Sequence, residues 1–331
     1  MILLFVVFLI SLGCTYFLIH YSHKKSIFID CHESDKPQRF HDEPTPRVGG
    51  VGIFIASTMM MFVSMNASYI VIAGSIAFLS GILEDFSSRL SARKRLIMHV
   101  LASLLFVVLL GSAIKTVGFG INFPVWLAIL FTTFAIVGVI NAVNIIDGFN
   151  GLASGFALIV FIIYGLVSYN LGDTEMTMVC LIMSFSILGF LIWNFPYGKI
   201  FLGDGGAYFL GFMVGAVSVL IVNRHPQVSA WFCLLVCIYP VWEVLFSFYR
   251  KKLVRGMSPL KPDKSHLHML IYKRITKSNP KTSMLILTMF IPYQLIAMFI
   301  IGDKLLLISL IVLFVVHYFL VYEILVKFKR K

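Results

Sequence analysis

The sequence predicts an all-α polytopic membrane protein of about eleven transmembrane helices, with the amino terminus periplasmic and the carboxyl terminus cytoplasmic. Three observations carry this prediction. The 331 residues are 59% hydrophobic and only 13% charged, with a mean hydropathy of +0.94, far from the soluble average. Apolar runs of about 18 or more residues, enough helix to cross the hydrocarbon core, recur along the whole chain. Basic residues gather in alternate connections between those runs.

The runs fall approximately at 2–20, 49–65, 67–84, 96–114, 124–141, 152–170, 175–193, 206–222, 228–247, 283–300 and 304–323. No positive residue precedes the first and no small-residue cleavage site follows it, so it reads as a retained helix rather than a signal peptide. The second and third are joined by a very short turn around Ser64 to Ser68. With the amino terminus outside, the inner connections hold Lys24, Lys25, Lys36, Arg39 and Arg47, then Arg89, Arg93, Lys94 and Arg95, then Lys199. The basic residues from Arg250 to Lys281 and the tail Lys327, Lys329, Arg330 and Lys331 follow on the same side. Only Lys115, Arg224 and Lys304 fall outside.

That bias accounts for the net charge of +12, which in a soluble chain would suggest nucleic acid. Here membrane lipid with anionic head groups is a sufficient partner and no nucleic acid is expected. Five cysteines show no zinc-type spacing, and Cys14, Cys180, Cys233 and Cys237 lie inside apolar runs, so they read as packing residues or free thiols. Without a repeat or a low-complexity tract, residues 1–331 read as a single transmembrane domain. Its cytoplasmic connections lie at about 21–48, 85–95, 142–151, 194–205 and 248–282.

Five carboxylates sit in or at the edge of the runs: Glu84, Asp85, Asp147, Asp204 and Glu243. Such groups are costly near hydrocarbon and need a partner or a task. The predicted topology brings them to one membrane face. A transporter would place ionisable groups near the midplane between broken helices, whereas an enzyme joining a soluble and a lipid substrate needs them at the interface. Two carboxylates about 4 Å apart repel by roughly 4 kcal/mol at an effective dielectric of about 20, so the cluster requires protons or a cation. Oxygen donors suit a hard ion such as magnesium, which commonly uses one or two carboxylates plus substrate phosphates.

The motifs refine this picture. In GILEDFSSRL, Glu84 and Asp85 point about 100° apart on a helix, so one is free to hold a metal while the other faces substrate; an ordinary acidic helix end is the alternative. In NAVNIIDGFNGL, Asn141, Asn144 and Asp147 recur every three residues on one helix side, and Gly148 and Gly151 let the backbone turn. Asparagines also join membrane helices, but three amides and a carboxylate within ten positions exceed that need. In YGKIFLGDGGAYFLG, Asp204 stands among Gly203, Gly205 and Gly206 at a helix start, either as a cap or as a carboxylate beside amide donors for a phosphate. In SPLKPDKSHLHMLIYKR, His266 and His268 lie near Lys261, Asp263, Lys264 and Arg255, cationic company that suits a diphosphate. The glycines of VGGVGIF follow no strand and are not a dinucleotide fingerprint.

Taken in order, DKPQRFHDEPTPRVGG, LEDFSSRLSARKR, NAVNIIDGFNGLASG, FLGDGGAYFLG and SPLKPDKSHLHML resemble the polyprenyl-phosphate N-acetylhexosamine-1-phosphate transferase family, the WecA/MraY superfamily of the bacterial inner membrane. The resemblance spans about residues 35 to 275. It implies a magnesium-dependent phosphotransferase, with manganese as an alternative ion. The implied reaction passes N-acetylhexosamine 1-phosphate from a UDP-N-acetylhexosamine, UDP-GlcNAc first, to undecaprenyl phosphate. UMP leaves, and a cell-surface glycan such as O-antigen is initiated.

The same resemblance assigns roles. The family's acidic pair falls on Glu84 and Asp85, with Asp85 accepting the proton from, or positioning, the lipid phosphate. Asp204 is the first choice for the metal, helped by Asn144 or Asp147. Asn141 belongs to the same motif, Asn150 and Phe201 match a uracil pocket, and Arg255, His266 and His268 match the basic loop that meets the donor. Glu84 replaces the usual aspartate. Met269 stands where many relatives carry histidine and the triple-histidine run is absent, which points to the WecA-like branch rather than the muramyl-pentapeptide branch. UDP-GalNAc or a 6-deoxy amino sugar are the alternative donors, a lipid-linked-sugar transporter or scramblase is the alternative function, and the family's dimers make a second copy a candidate partner.

Overall fold

The computed structural model describes residues 1–30, 44–87, 90–254, 256 and 265–327. In chain order the elements are α1 (Ile2–Lys25), β1 (Ile29–Asp30), β2 (Thr45–Pro46), α2 (Gly50–Ser57), α3 (Met65–Ser87), α4 (Ala92–Leu110), β3 (Thr116–Gly118), β4 (Ile121–Asn122) and α5 (Val125–Ile146). There follow α6 (Leu152–Asn170), α7 (Thr174–Asn194), α8 (Gly203–Arg224), α9 (Ala230–Val236), α10 (Ile238–Tyr249), α11 (Leu267–Ile271), α12 (Asn279–Ala297) and α13 (Lys304–Lys327). Among the described residues the strands form two short antiparallel pairs, β1 with β2 and β3 with β4.

Seven of these helices, α1, α3, α5, α6, α7, α8 and α13, are long and apolar enough to cross a membrane, and α9 with α10 make an eighth if the bent pair is one span. The eleven expected spans therefore reduce to seven or eight by that measure. The run at 49–65 becomes the short helix Gly50–Phe62, ending in a tighter turn from Thr58 to Phe62. The runs at 96–114 and 283–300 are helical, but α4 opens on Arg93, Lys94 and Arg95 and α12 on Asn279 and Lys281, which dilutes their apolar stretch.

α8 is the axis of the bundle. Its most apolar window is 89% buried, against 22% for α1 and α13, which lie at the periphery. Glycines make the close packing around α8 feasible: a Cβ on Gly50 of α2 would stand 2.2 Å from the Cα of Gly206, and one on Gly211 would stand 2.6 Å from the Cα of Ile140 in α5. Small residues let helix backbones approach and gain dispersion contacts where lipid offers no hydrophobic drive.

The break between α9 and α10, a bend of 79°, has an identifiable cause. Pro240 has no N–H to give to the carbonyl of Val236 four residues earlier. The Gln294 side chain of α12 donates to that carbonyl instead, at 2.6 Å, so the freed acceptor is not left unpaired in the interior.

At the end of the bundle where α7 begins and α8 ends, Arg224 donates to both oxygens of Asp173 at 3.2 and 3.1 Å and to Glu175 at 2.5 Å. His225 meets Asp173 at 3.0 Å, and Ser64, just before α3, donates to Glu175. Burial alone would raise the Asp173 carboxyl, but the Met176 N–H and Arg224 outweigh it and hold it below the ordinary carboxylate range. Arg224→Met strands two carboxylates, so we expect a loss of about 2 kcal/mol. Thermal unfolding of the detergent-solubilised variant should read this as a midpoint lower by about 2–4 °C.

Candidate active site

At the opposite end, α3, α5 and α7 finish while α4, α6 and α8 begin, and four predicted motifs meet there. Gly203 adopts φ +77°, a turn that a side chain would resist. A Cβ at that position would also stand 2.1 Å from the carbonyl oxygen of Arg47. The segment before α8 is zipped to the segment before α2: Phe201 N–H donates to the Pro46 carbonyl at 2.8 Å, and Gly49 and Gly50 donate to the carbonyls of Phe201 and Leu202 at 2.9 and 2.8 Å. Arg47 and Asp204 are thereby carried on joined backbones.

Each carboxylate then has a different environment. Asp204, in the first turn of α8, accepts from the Asn144 amide at 3.1 Å through Oδ1 and from Arg95 of α4 at 2.9 Å through Oδ2. Arg95 also lies 3.6 Å from Glu84, whose other oxygen accepts from the Leu90 N–H at 3.0 Å. Asp85 accepts from the backbone N–H groups of Asp204 and Gly205, at 3.1 and 3.0 Å, one on each oxygen. It caps α8 from a neighbouring helix, a favourable place for negative charge.

Asp147 closes α5, its N–H donating to the Asn144 carbonyl at 3.2 Å. Burial, and then the charge of Asp204, push its carboxyl up to about 8; Arg47 pulls the other way and Asp85 adds to the rise. A carboxyl in that position holds its proton near neutral pH unless further positive charge arrives. Among the described residues no three His, Cys, Asp or Glu side chains are gathered tightly enough to cage a metal ion. Magnesium does not require a cage, because it combines one or two carboxylates with waters and substrate phosphates. Asp204, Asp147 and the Asn144 amide supply oxygen of the right hardness, and Arg95 already occupies the cationic side of Asp204.

The other predicted residues divide. The Asn141 side chain donates to the Val137 carbonyl of its own helix at 2.7 Å. Asn150 is buried: its N–H donates to Asn279 Oδ1 at 2.6 Å, its side chain donates to the Pro196 carbonyl at 3.2 Å, and its Oδ1 has no hydrogen-bond partner among the described residues. Phe201 is half-buried at the junction before α8. His266 and His268, read from sequence as part of a basic loop that meets the donor, are buried, at 4% and 0% exposure. The cause is Glu243, wholly buried on α10, which accepts from His266 Nδ1 at 2.8 Å, Leu267 N–H at 2.9 Å and Tyr318 O–H of α13 at 2.7 Å, and so draws the segment inward. Glu243 thus anchors the segment that carries both histidines. Arg255, with Lys261, Asp263 and Lys264, lies outside the described residues.

Several participants were not singled out from sequence. Arg95 counted there only as topology charge. Asn194 fixes the loop before α6, accepting from Gly151 N–H at 2.7 Å and donating to the Ile200 carbonyl at 2.8 Å. Asn279 has no motif around it and is found only through its contact with Asn150.

The family model described as glycosyl transferase family 4 matches residues 67–222, a stretch that holds Glu84, Asp85, Arg95, Asn144, Asp147 and Asp204. The undecaprenyl-phosphate alpha-N-acetylglucosaminyl 1-phosphate transferase of Thermotoga maritima is 31% identical over 276 residues, covering 83% of this chain and 82% of the relative. A probable undecaprenyl-phosphate N-acetylglucosaminyl 1-phosphate transferase of Bacillus subtilis is 28% identical over 281 residues, covering 81% and 77%. A phospho-N-acetylmuramoyl-pentapeptide-transferase of Streptococcus pneumoniae is 28% identical over 294 residues, covering 83% and 89%.

Proposed function

This chain belongs to glycosyl transferase family 4, and from that membership we propose that it transfers N-acetylhexosamine 1-phosphate from a UDP-sugar to undecaprenyl phosphate. GlcNAc-1-phosphate is the first choice of group. The reaction takes place at the cytoplasmic face of the bacterial inner membrane, leaves UMP and initiates a cell-surface glycan such as O-antigen. The observation that carries this reading is the meeting of Asp204, Asp147, Asn144 and Arg95 at one end of the bundle, where a water-soluble diphosphate and a lipid phosphate would both have access. A transporter would need its ionisable groups at mid-helix depth, and these stand at helix ends.

The residues present fit magnesium, which Asp204 would hold with Asn144 or Asp147 and which would supply positive charge to the donor's diphosphate oxygens. Arg95 and Arg47 add fixed positive charge at the same end. Of the two roles open to Asp85, positioning fits its geometry: both oxygens are already engaged by α8 N–H groups. Asp147, pushed up to about 8, would give up its proton when the cation arrives beside it.

Membranes containing the protein, supplied with undecaprenyl phosphate, magnesium and labelled UDP-GlcNAc, should yield a butanol-soluble labelled lipid and UMP. Parallel reactions with UDP-GalNAc, a UDP-6-deoxy amino sugar and UDP-N-acetylmuramoyl-pentapeptide assign the donor, the last because relatives from that branch match over most of the chain. Silence across the panel would overturn the transferase assignment.

A further inference from the structure

The parallel rings of His266 and His268 lie 5.3 Å apart at an interplanar angle of 2°, yet their hydrogen-bond partners are opposite in character. His266 Nδ1 faces the Glu243 carboxylate at 2.8 Å. A carboxylate only accepts, so this Nδ1 carries a proton. His268 Nδ1 lies 3.1 Å from the phenol of Tyr239. A phenol is the better donor and an imidazole nitrogen the better acceptor, so Tyr239 O–H donates and His268 Nδ1 is bare.

In neutral imidazole the proton then sits on Nε2, because the bond at one ring nitrogen sets the state of the other. Burial pushes the His268 ring down to about 3, with the neighbouring His266 lowering it further against the pull of Glu243, so the ring is neutral at working pH. Its Nε2 is buried and has no partner among the described residues. Orphaned buried donors are rare in folded proteins and call for an explanation. The ring packs edge-on to Phe149 at 5.7 Å, and Phe149 lies between Asp147 and Asn150 in the loop that closes the site.

We propose that Tyr239 is a positioning residue for the transfer reaction: it locks His268 in the Nε2–H tautomer, so that an uncharged N–H is presented to an acceptor oxygen of the bound donor. This rests on the transferase reading above. An uncharged donor here orients the nucleotide sugar without an added positive charge beside the buried His266–Glu243 pair. Tyr239 is itself 3% exposed and stacks on Phe290 of α12 at 4.8 Å, which holds the phenol in place.

The test uses the full-length protein in nanodiscs. With 15N-labelled histidine, the His268 signal, assigned by loss in His268→Gln, should report protonated Nε2 and bare Nδ1 in the wild type, and a mixture of tautomers in Tyr239→Phe. In kinetics, Tyr239→Phe should raise the KM for the UDP-sugar about tenfold. His268→Gln, which removes the imidazole that Tyr239 orients, should raise it at least as much, and adding Tyr239→Phe to it should change nothing further. An equal loss from Tyr239→Phe in both backgrounds, or a wild-type spectrum with the proton on Nδ1, overturns the proposal. If wild type transfers from no UDP-sugar, the reaction assignment fails, and the spectrum still decides the tautomer.

Discussion

Asp204→Asn is expected to lower transfer by about 10³-fold, roughly 4 kcal/mol of transition-state stabilisation, while the protein still inserts and unfolds near the wild-type temperature. The substitution is nearly isosteric. Asn144 keeps an acceptor at the position of Oδ1, and Arg95 keeps Glu84 at 3.6 Å. What disappears is one negative charge at the start of α8, where the donor's diphosphate and its cation would meet. Uniform weakening of substrate binding would appear as a higher KM with kcat preserved, whereas loss of a group that acts in the transition state lowers kcat itself. Labelled-lipid formation at saturating UDP-sugar and magnesium checks this, with thermal unfolding of the same preparation alongside. Activity within tenfold of wild type would remove Asp204 from the reaction centre.

Gly81→Ala should be nearly as damaging, although residue 81 carries no chemistry. A Cβ there would stand 2.3 Å from the carbonyl carbon of Asp204 and from the Gly205 nitrogen, and 2.4 Å from the Asp204 carbonyl oxygen. All three are backbone atoms at a helix start, so no rotamer change relieves the clash. α3 and α8 must separate, and the bonds from Asp204 and Gly205 N–H to Asp85, now 3.1 and 3.0 Å, lengthen with them. Displacing a reacting constellation by about 1 Å costs on the order of 10²-fold in rate, and overpacking a tight contact adds about 1–3 kcal/mol of destabilisation. Gly138→Ala on α5 is the control, since a Cβ there meets nothing within 4 Å. Equal activity in the two variants would show that the α3–α8 contact does not govern the site.

The contrast between these two residues shows what sequence reading reaches. Asp204 was legible because a carboxylate among glycines in an apolar chain is expensive, and its cost marks it wherever it lies. Asn144 and Asp147 were legible for the same reason, reinforced by a spacing that puts them on one helix side. Gly81 was not, because a glycine in a membrane helix is ordinary until the neighbour it touches is known. Arg95 was hidden differently: in SARKR it is one cation among three, and only the packing of α4 beside α8 selects it for Asp204. For His266 and His268 the surrounding charges suggested a basic loop for a diphosphate, and Glu243, distant in the chain, draws them inward.

The sequence alone determined the membrane-embedded helical class, the approximate positions of the apolar runs and the family, because hydropathy and motif order are properties of consecutive residues. The tertiary structure decided which runs are full spans, why α9 and α10 part at Pro240, and which partner each polar group takes. It made Asp85 the cap of α8 and buried His268 against Tyr239 and Phe149. The physical reason is common to these cases: hydrogen bonds and close backbone contacts act over about 3 Å between segments far apart in the chain, and the pattern of either segment alone does not contain them.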